Sequence, residues 1–297
     1  MIGPRQILHR RNAIDSIRKM TRTMEMISTT RYKYYFNRWI AAKEYHDALA
    51  RAGYLLVTSP KLHNHPLLKE NSSGRSAIIA IGSNRGLCGS YNSYIYQAMK
   101  VHIDKAKRPG KKLEIYAPDR RLVGLLNYHG ITPAKIYSDI DEMPTDEQID
   151  EITDEFVGQY MAGQLDYLGI VYMRYYSLGS QRAQTLTIMP LTELIDDLTT
   201  RTTVIWPWTL SVEDFYFSPS VTEIIESLAR MIIHSSIQSC FVDAILSEHV
   251  ARMIAMKNAT ENADDMIDEL TAEYNRARQS QITRELLDII VGAEAIQ

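Results

Sequence analysis

At 297 residues the chain has room for one large or two ordinary domains, and its net charge of −3 points to no polyanionic or polycationic partner for the chain as a whole. Two cysteines, Cys88 and Cys240, supply neither a disulfide framework nor a C-x-x-C centre. No apolar run reaches bilayer length, and the polar, basic start lacks the apolar core of a signal peptide, so the chain is expected to stay inside the cell and to meet a membrane only through a partner.

Pro4 to about Leu56 reads as one long helix, with Pro4 in the first turn, where a proline is tolerated. Ile7, Ile14, Ile17, Met24 and Ile27 form its narrow apolar side, and Gly53 marks an interruption or an end. The track 7, 14, 21, 28 and 35 reads Ile, Ile, Thr, Ser, Tyr, so the seam is not an optimised zipper. Thr58 to Gly74 is a polar, proline-bearing linker.

A strand is expected at Ser76–Ser83, a helix from Asn92 to about Lys107, a strand at Leu113–Pro118 and a short helix around Arg121–Tyr128. A third strand follows at Ala134–Tyr137 and a helix from Thr145 to about Gln164. Strands at Tyr167–Ser177 and Gln184–Leu191 close the series, joined by a hairpin through Leu178–Arg182. This alternation predicts a three-layer, Rossmann-like α/β domain with a largely parallel sheet and an antiparallel edge. Leu194 to Ser220 is aromatic, with Trp206, Trp208, Phe215, Tyr216 and Phe217, and reads equally as packed connector or contact surface.

From Val221 to Val291 there is no proline and no glycine. Ile225, Ile232, Leu246, Met253, Ile267 and Tyr274 lie on one heptad track, with Leu228, Val242, Met256, Ala263, Leu270 and Ala277 three positions on. A helix of that length spans roughly 100 Å, more than a compact domain of this mass, and is expected to project. Residues 1–50 carry ten Lys/Arg against four Asp/Glu, and residues 261–297 carry three Arg against nine Asp/Glu. The two terminal helices are therefore expected to pair antiparallel. The expected division is 1–57 and 220–297 as a coiled-coil shaft, 58–75 as linker and 76–219 as the α/β base domain.

The glycines Gly82, Gly86 and Gly89 follow a strand and precede a helix, as a phosphate-binding turn does. Their spacing matches neither G-x-G-x-x-G nor G-x-x-x-x-G-K-[ST], which favours a tight turn with Cys88 as a small buried hydrophobe. Asp119, at the end of the second strand, is too little to restore a nucleotide site. His63 and His65 are poorly spaced for a metal, His129 ends a helix, and His249 reads as a packed, hydrogen-bonded imidazole on the seam. Glu261, Asp264, Asp265 and Asp268 read as a solvated helix face. The sequence offers no catalytic, cofactor or metal residues, and nucleic acid is disfavoured because the basic residues share a helix with coiled-coil apolar spacing and no aromatic stacking module is apparent.

Three segments together resemble the gamma subunit of F-type ATP synthases: Ile17–Arg31 around Met24-Glu25-Met26, Asn84–Asn92 (NRGLCGSYN), and Ser247–Ala295. The resemblance implies a rotor shaft inside a hexamer of three alpha and three beta subunits, one copy per complex, with a base bound to an epsilon subunit and a membrane c-ring. It implies that ATP, ADP and Mg stay on the alpha and beta subunits, and that the chain is peripheral to the cytoplasmic face of a bacterial cell membrane. By the same resemblance Met24, Arg278 and Gln279 meet the beta subunits, and Ile282, Leu286, Leu287 and Ile290 form the tip in the upper bearing. Gly86, Leu87, Cys88 and Gly89 match the family turn, and Phe215, Tyr216, Phe217 and Ser218 the ring and epsilon contacts, with Ser218 in the place of the usual acid. The Tyr- and Arg-rich run RYKYYFNRW departs from the family and marks a divergent form. The rival readings are a non-rotary coiled-coil adaptor and a nucleotide-dependent enzyme.

Overall fold

The computed structural model describes residues 3–58, 65–201 and 221–294. The element order is α1 (Pro4–Thr58), β1 (Arg75–Ala80), α2 (Tyr91–Ala106), β2 (Lys112–Ala117), α3 (Arg120–Tyr128), β3 (Lys135–Ile136), α4 (Asp146–Met161), β4 (Tyr167–Ser177), β5 (Ser180–Met189), α5 (Leu191–Arg201) and α6 (Val221–Glu294). Two compact units result, one of residues 1–30 with 252–297, the other of residues 31–251.

The larger unit is built on a five-stranded sheet in the order β3-β2-β1-β4-β5. The pairs β1–β2, β1–β4 and β2–β3 are parallel, and β4–β5 is antiparallel. Strand β4 is buried on both sides over most of its length, as a strand covered by helices must be. Side chains of period two divide the core. Ile78, Ala80, Ile115, Val171 and Met173 face Tyr91, Ile95 and Met99 of α2 and Leu122 and Leu126 of α3. Ala77, Ile79, Ile81, Leu168, Ile170 and Tyr172 face the opposite way, onto α4, α5, the end of α1 and α6. The expected three-layer α/β domain is therefore present, and the hairpin turn is Leu178-Gly179.

Local chemistry sets the boundaries. Thr145 caps α4 by a reciprocal box, its Oγ1 accepting from the Gln148 amide while Gln148 Oε1 accepts from Thr145 N. Helix α1 continues through Gly53, where an end or interruption was expected. A Cβ there would come within 2.9 Å of Ile232 Cδ1 and 3.3 Å of Ile195 Cγ1, so the glycine permits close packing of helices. Strand β5 begins at Ser180 rather than Gln184, because the hairpin pairs Ser177 with Ser180 directly. The stretch after Leu191 begins as helix α5, whose Leu194, Ile195 and Leu198 complete the core.

In the smaller unit the two helices pair through Ile7 and Ile14 of α1 and Ala263 and Leu270 of α6, with Ile267, Tyr274 and Ala277 packed against them. The α6 tracks read from sequence thus carry the seam. On α1 the correction is larger. Ile17 is 53% exposed and Ile27 is also exposed, while Thr21 and Ser28 are buried. The seven-residue track continues through polar side chains because they find partners across it: Thr21 Oγ1 and Thr260 Oγ1 lie 2.8 Å apart. Arg18 also reaches Asp264 at 2.9 Å, an exposed pair worth little by itself.

The Thr21–Thr260 contact fixes the register. Cysteines placed at both positions should form a disulfide readily under mild oxidation, whereas a cysteine at exposed Ile17 paired with Thr260→Cys should not. Equal yields from the two pairs would refute this seam.

Candidate functional site

Past Leu270 no side chain of α6 is fully buried among the described residues. Arg278 and Gln279 are exposed, and Met24 on α1 is half-buried. Ile282, Leu286, Leu287 and Ile290 are all exposed, as is Ile289, which the sequence reading passed over and which is 68% exposed. Spacings of three, four and seven gather these five on one side of the helix. Local bonds leave that side clear: Gln281 pairs with Glu285, and Arg284 Nε donates to Ser280 O. Scattered single apolar residues on a surface need no explanation, whereas five large aliphatic side chains gathered at one helix end form a contiguous exposed apolar patch.

The glycine turn lies where open parallel sheets bind ligands, at the carboxyl end of β1 beside the reversal of strand order between β1 and β4. Here two of its backbone donors are already engaged within the chain. Gly82 N donates to Asp119 Oδ2 at 2.6 Å, Ser83 N donates to Asn92 Oδ1 at 3.0 Å, and Asn92 Nδ2 donates back to Ser83 Oγ at 2.8 Å. A Cβ on Gly82 would stand 2.5 Å from Leu122 Cβ. Leu87 and Gly89 take positive φ, 66° and 60°, which makes the turn tight and leaves Leu87 exposed. Cys88 is buried against Ser83, as expected of a small hydrophobe. Helix α6 packs beside this turn, where Tyr91 Oη donates to Ala244 O at 3.0 Å and Ala251 packs against the α2 side of the core. Burial pushes the Asp119 carboxyl up to about 7, with the Glu248 charge adding to the rise and the Gly82 bond opposing it.

The third feature is a clasp in the larger unit. Glu142, in the loop before α4, accepts from His249 Nε2 at 2.9 Å and from Arg31 Nη1 at 3.2 Å. The Tyr35 ring stacks on His249 with centroids 5.6 Å apart. Next to it Tyr32, Phe36, Trp39 and Tyr175 form an aromatic cluster, with Tyr32 Oη 3.1 Å from Tyr175 Oη and Trp39 Nε1 donating to Asp243 at 2.6 Å. The hydrogen bond from His249, the largest influence, holds Glu142 at about 2, far below an ordinary glutamate. The aromatic run on α1 thus packs against β4 and α6 within the larger unit, and His249 is the packed imidazole that its sequence position implied.

A family model described as ATP synthase matches residues 4–296. The ATP synthase gamma chain of Rhodopirellula baltica is 35% identical over the whole of both chains, and that of Leptospira biflexa 32%. This chain belongs to the ATP synthase gamma chain family. Two chains from the Euglena gracilis mitochondrial ATP synthase share the fold. One, from the rotor, has a TM-score of 0.60 at 15% identity and covers 94% of this chain and 98% of that one. The other, from an OSCP/F1/c-ring structure, has a TM-score of 0.63 at 16% identity and covers 99% of this chain and 94% of that one.

Within this gamma chain His65 caps a short turn, its Nδ1 accepting from Leu67 N, and His129 ends α3 with its ring stacked on Tyr96. Asp264 pairs with Arg18. No group of three or more His, Cys, Asp or Glu side chains among the described residues is arranged to hold a metal. His63, Trp206, Trp208, Phe215, Tyr216, Phe217 and Ser218 lie outside the described residues.

Two pH-linked outcomes follow from the buried Asp119 and the half-buried Glu142. Asp119 has its folded value raised above 3.8, so it takes up a proton on folding between about pH 4 and 7, and stability falls as pH rises through that window. Asp119→Asn should flatten that slope, with a gain of ~2 kcal/mol or more at pH 8 relative to pH 4, read by denaturant unfolding. An unchanged slope would show that Asp119 ionises freely. Glu142 has the opposite sign: its contribution is full above 4.5 and is lost as pH falls toward 2. Glu142→Ala should cost about 1–3 kcal/mol at pH 7 by stranding His249, and the deficit should shrink in acid.

Proposed function

We propose that this gamma chain is the central-stalk rotor subunit of an F-type ATP synthase. It couples ion flow through a membrane c-ring to ATP synthesis or hydrolysis on an alpha3beta3 hexamer. The observation that carries the reading is the end of α6, where Arg278 and Gln279 and then five large aliphatic side chains stand exposed on a helix beyond its last buried seam residue. Family membership supports the same reading, and so do the rotor and c-ring settings named for the Euglena gracilis chains.

In this reading the chain is not an enzyme by itself. It binds no cofactor, and ATP, ADP and Mg belong to the alpha and beta subunits. The crowded glycine turn supports that division of labour, because Gly82 and Ser83 direct their amides to side chains of the chain itself and Tyr91 beside them bonds to α6. Residues 1–57 and 220–297 form the shaft, 58–75 the linker and 76–219 the base. Met24, Arg278 and Gln279 engage the beta subunits, where the guanidinium and amide offer directional hydrogen bonds to loops. Ile282, Leu286, Leu287 and Ile290 turn in the apolar upper bearing. Gly86, Leu87, Cys88 and Gly89 shape the base, and Phe215, Tyr216, Phe217 and Ser218 meet the epsilon subunit and the ring. One copy serves each complex, at the cytoplasmic face of the membrane and peripheral to it. No helix among the described residues is long and apolar enough to cross a membrane.

Reconstitution tests the reading. The chain should co-purify with an alpha–beta hexamer. Arg278→Ala with Gln279→Ala should leave assembly intact while lowering ATP turnover and ATP-driven ion pumping about tenfold, the effect of losing ~1.4 kcal/mol of coupling. Turnover and pumping both at the parent level in an assembled complex would overturn the assignment of these residues. Failure to join the hexamer at all would overturn the rotor reading.

A further inference from the structure

The amino end of the sheet, opposite the glycine turn, carries a second concave feature. A cavity of about 340 Å³ is lined by Ser76, His102, Lys105, Ala106, Arg108, Lys111, Lys112, Leu113, Asp166 and Tyr167. Its rim comes from a basic run. Lys100, Lys105, Lys107, Arg108, Lys111 and Lys112 fall within thirteen residues against one acid, Asp104. Cations in the last turn of α2 answer the helix dipole, which accounts for Lys105. It does not account for Arg108, Lys111 and Lys112, which follow the helix.

The cations are unevenly committed. Lys107 is paired with Asp104 at 2.8 Å and Lys112 with Glu114 at 2.8 Å. Lys111 reaches Asp166 only at 3.9 Å. That carboxylate is engaged elsewhere, accepting from Ser73 N, Ser73 Oγ and Gly74 N. Lys105 and Arg108 make no ion pair among the described residues. The floor is preformed: the His102 and Tyr167 rings stack with centroids 5.9 Å apart, and Nε2 of His102 lies 2.9 Å from Thr185 Oγ1. Burial, and after it the Lys105 charge, holds His102 below the usual histidine range. The imidazole thus lies beside the Lys105 ammonium, in a cavity whose lining holds one carboxylate, Asp166.

We propose that this cavity is a binding site for a soluble phosphorylated small molecule. Its phosphate lies between Lys105 and Arg108, with Lys111 adding charge, and its organic part lies over Leu113 and the Tyr167 ring. A guanidinium and an ammonium at one rim suit a phosphate dianion. A concave floor with aromatic and aliphatic walls suits a molecule rather than a flat membrane surface. The proposal is independent of the rotor reading, because it uses no residue assigned to the shaft or its partners.

Phenyl phosphate is the probe, added at millimolar concentration to the full chain at fixed ionic strength while the histidine ring protons are followed by NMR. A dianion held beside His102 should raise its pKa by about one unit. Sodium chloride at the same ionic strength should not do so. Lys105→Ala with Arg108→Ala should abolish the shift without lowering the melting temperature, since both side chains are exposed. No shift with phenyl phosphate would overturn the proposal, and so would a shift that survives in the double variant. A response to phosphatidic acid vesicles without one to phenyl phosphate would also overturn it, in favour of a lipid surface.

Discussion

Everything else in this chain depends on how the middle of α6 is buried. Ala229, Ile232, Ile233, Ile237, Cys240, Phe241 and Ala244 enter one hydrophobic cluster with the sheet, α4, α5 and the end of α1. Ile245, Leu246 and Val250 enter the aromatic cluster on another side of the same helix. Few positions between Ile232 and Val250 remain open to solvent, which describes a core helix rather than one strand of a two-helix rope. Each large aliphatic side chain buried there contributes on the order of 1.5–3 kcal/mol. An isolated 74-residue helix has no such anchor, because helical propensity alone is a weak source of stability.

That burial also brings α6 against the sheet beside its switch point. The sheet presents the strand order and the glycine-rich turn that elsewhere hold phosphates. Here Tyr91 bonds to the backbone of α6, Asp119 takes the Gly82 amide, and Asn92 closes a ring of bonds with Ser83. The turn has been converted from a binding element into a packing element. A chain of the ATP synthase gamma family has a use for that exchange, since the helix must be held firmly by the body that carries it.

The smaller unit follows a different economy. Its seam mixes Ile7, Ile14, Ala263 and Leu270 with a threonine pair and a buried serine, and α6 ends in exposed aliphatic side chains. Two helices with so few apolar contacts are held weakly by each other. Under the rotor reading the missing burial is supplied by the surrounding hexamer. The clasp of Arg31, Tyr35, Glu142 and His249 belongs to the larger unit, where bonds to a shared carboxylate combine with ring stacking.

Sequence by itself determined the element types except helix α5, the three-layer sheet domain and the α6 tracks that form the seam. Those follow from local pattern: short apolar runs at Ala77–Ile81 and Leu168–Met173, heptads at Met256, Ala263 and Leu270, turn residues between them. It also marked the glycine turn as wrongly spaced for phosphate, and three distant segments identified the family. Tertiary structure alone decided which of several apolar residues on α1 face a partner. Ile17 and Ile27 look like seam residues by composition, yet Thr21 and Ser28 are the buried ones, because register depends on what lies across the interface and not on hydropathy at one position. Gly53 looked like an end and is a packing contact, for the same reason. Helix α5 and the Glu142 clasp were hidden because their partners are far away in sequence, Glu142 being 107 residues from His249. The cavity at the amino end of the sheet was equally hidden, since Lys105 and Arg108 become a site only when the Tyr167 ring, some sixty residues later, forms the floor beneath them.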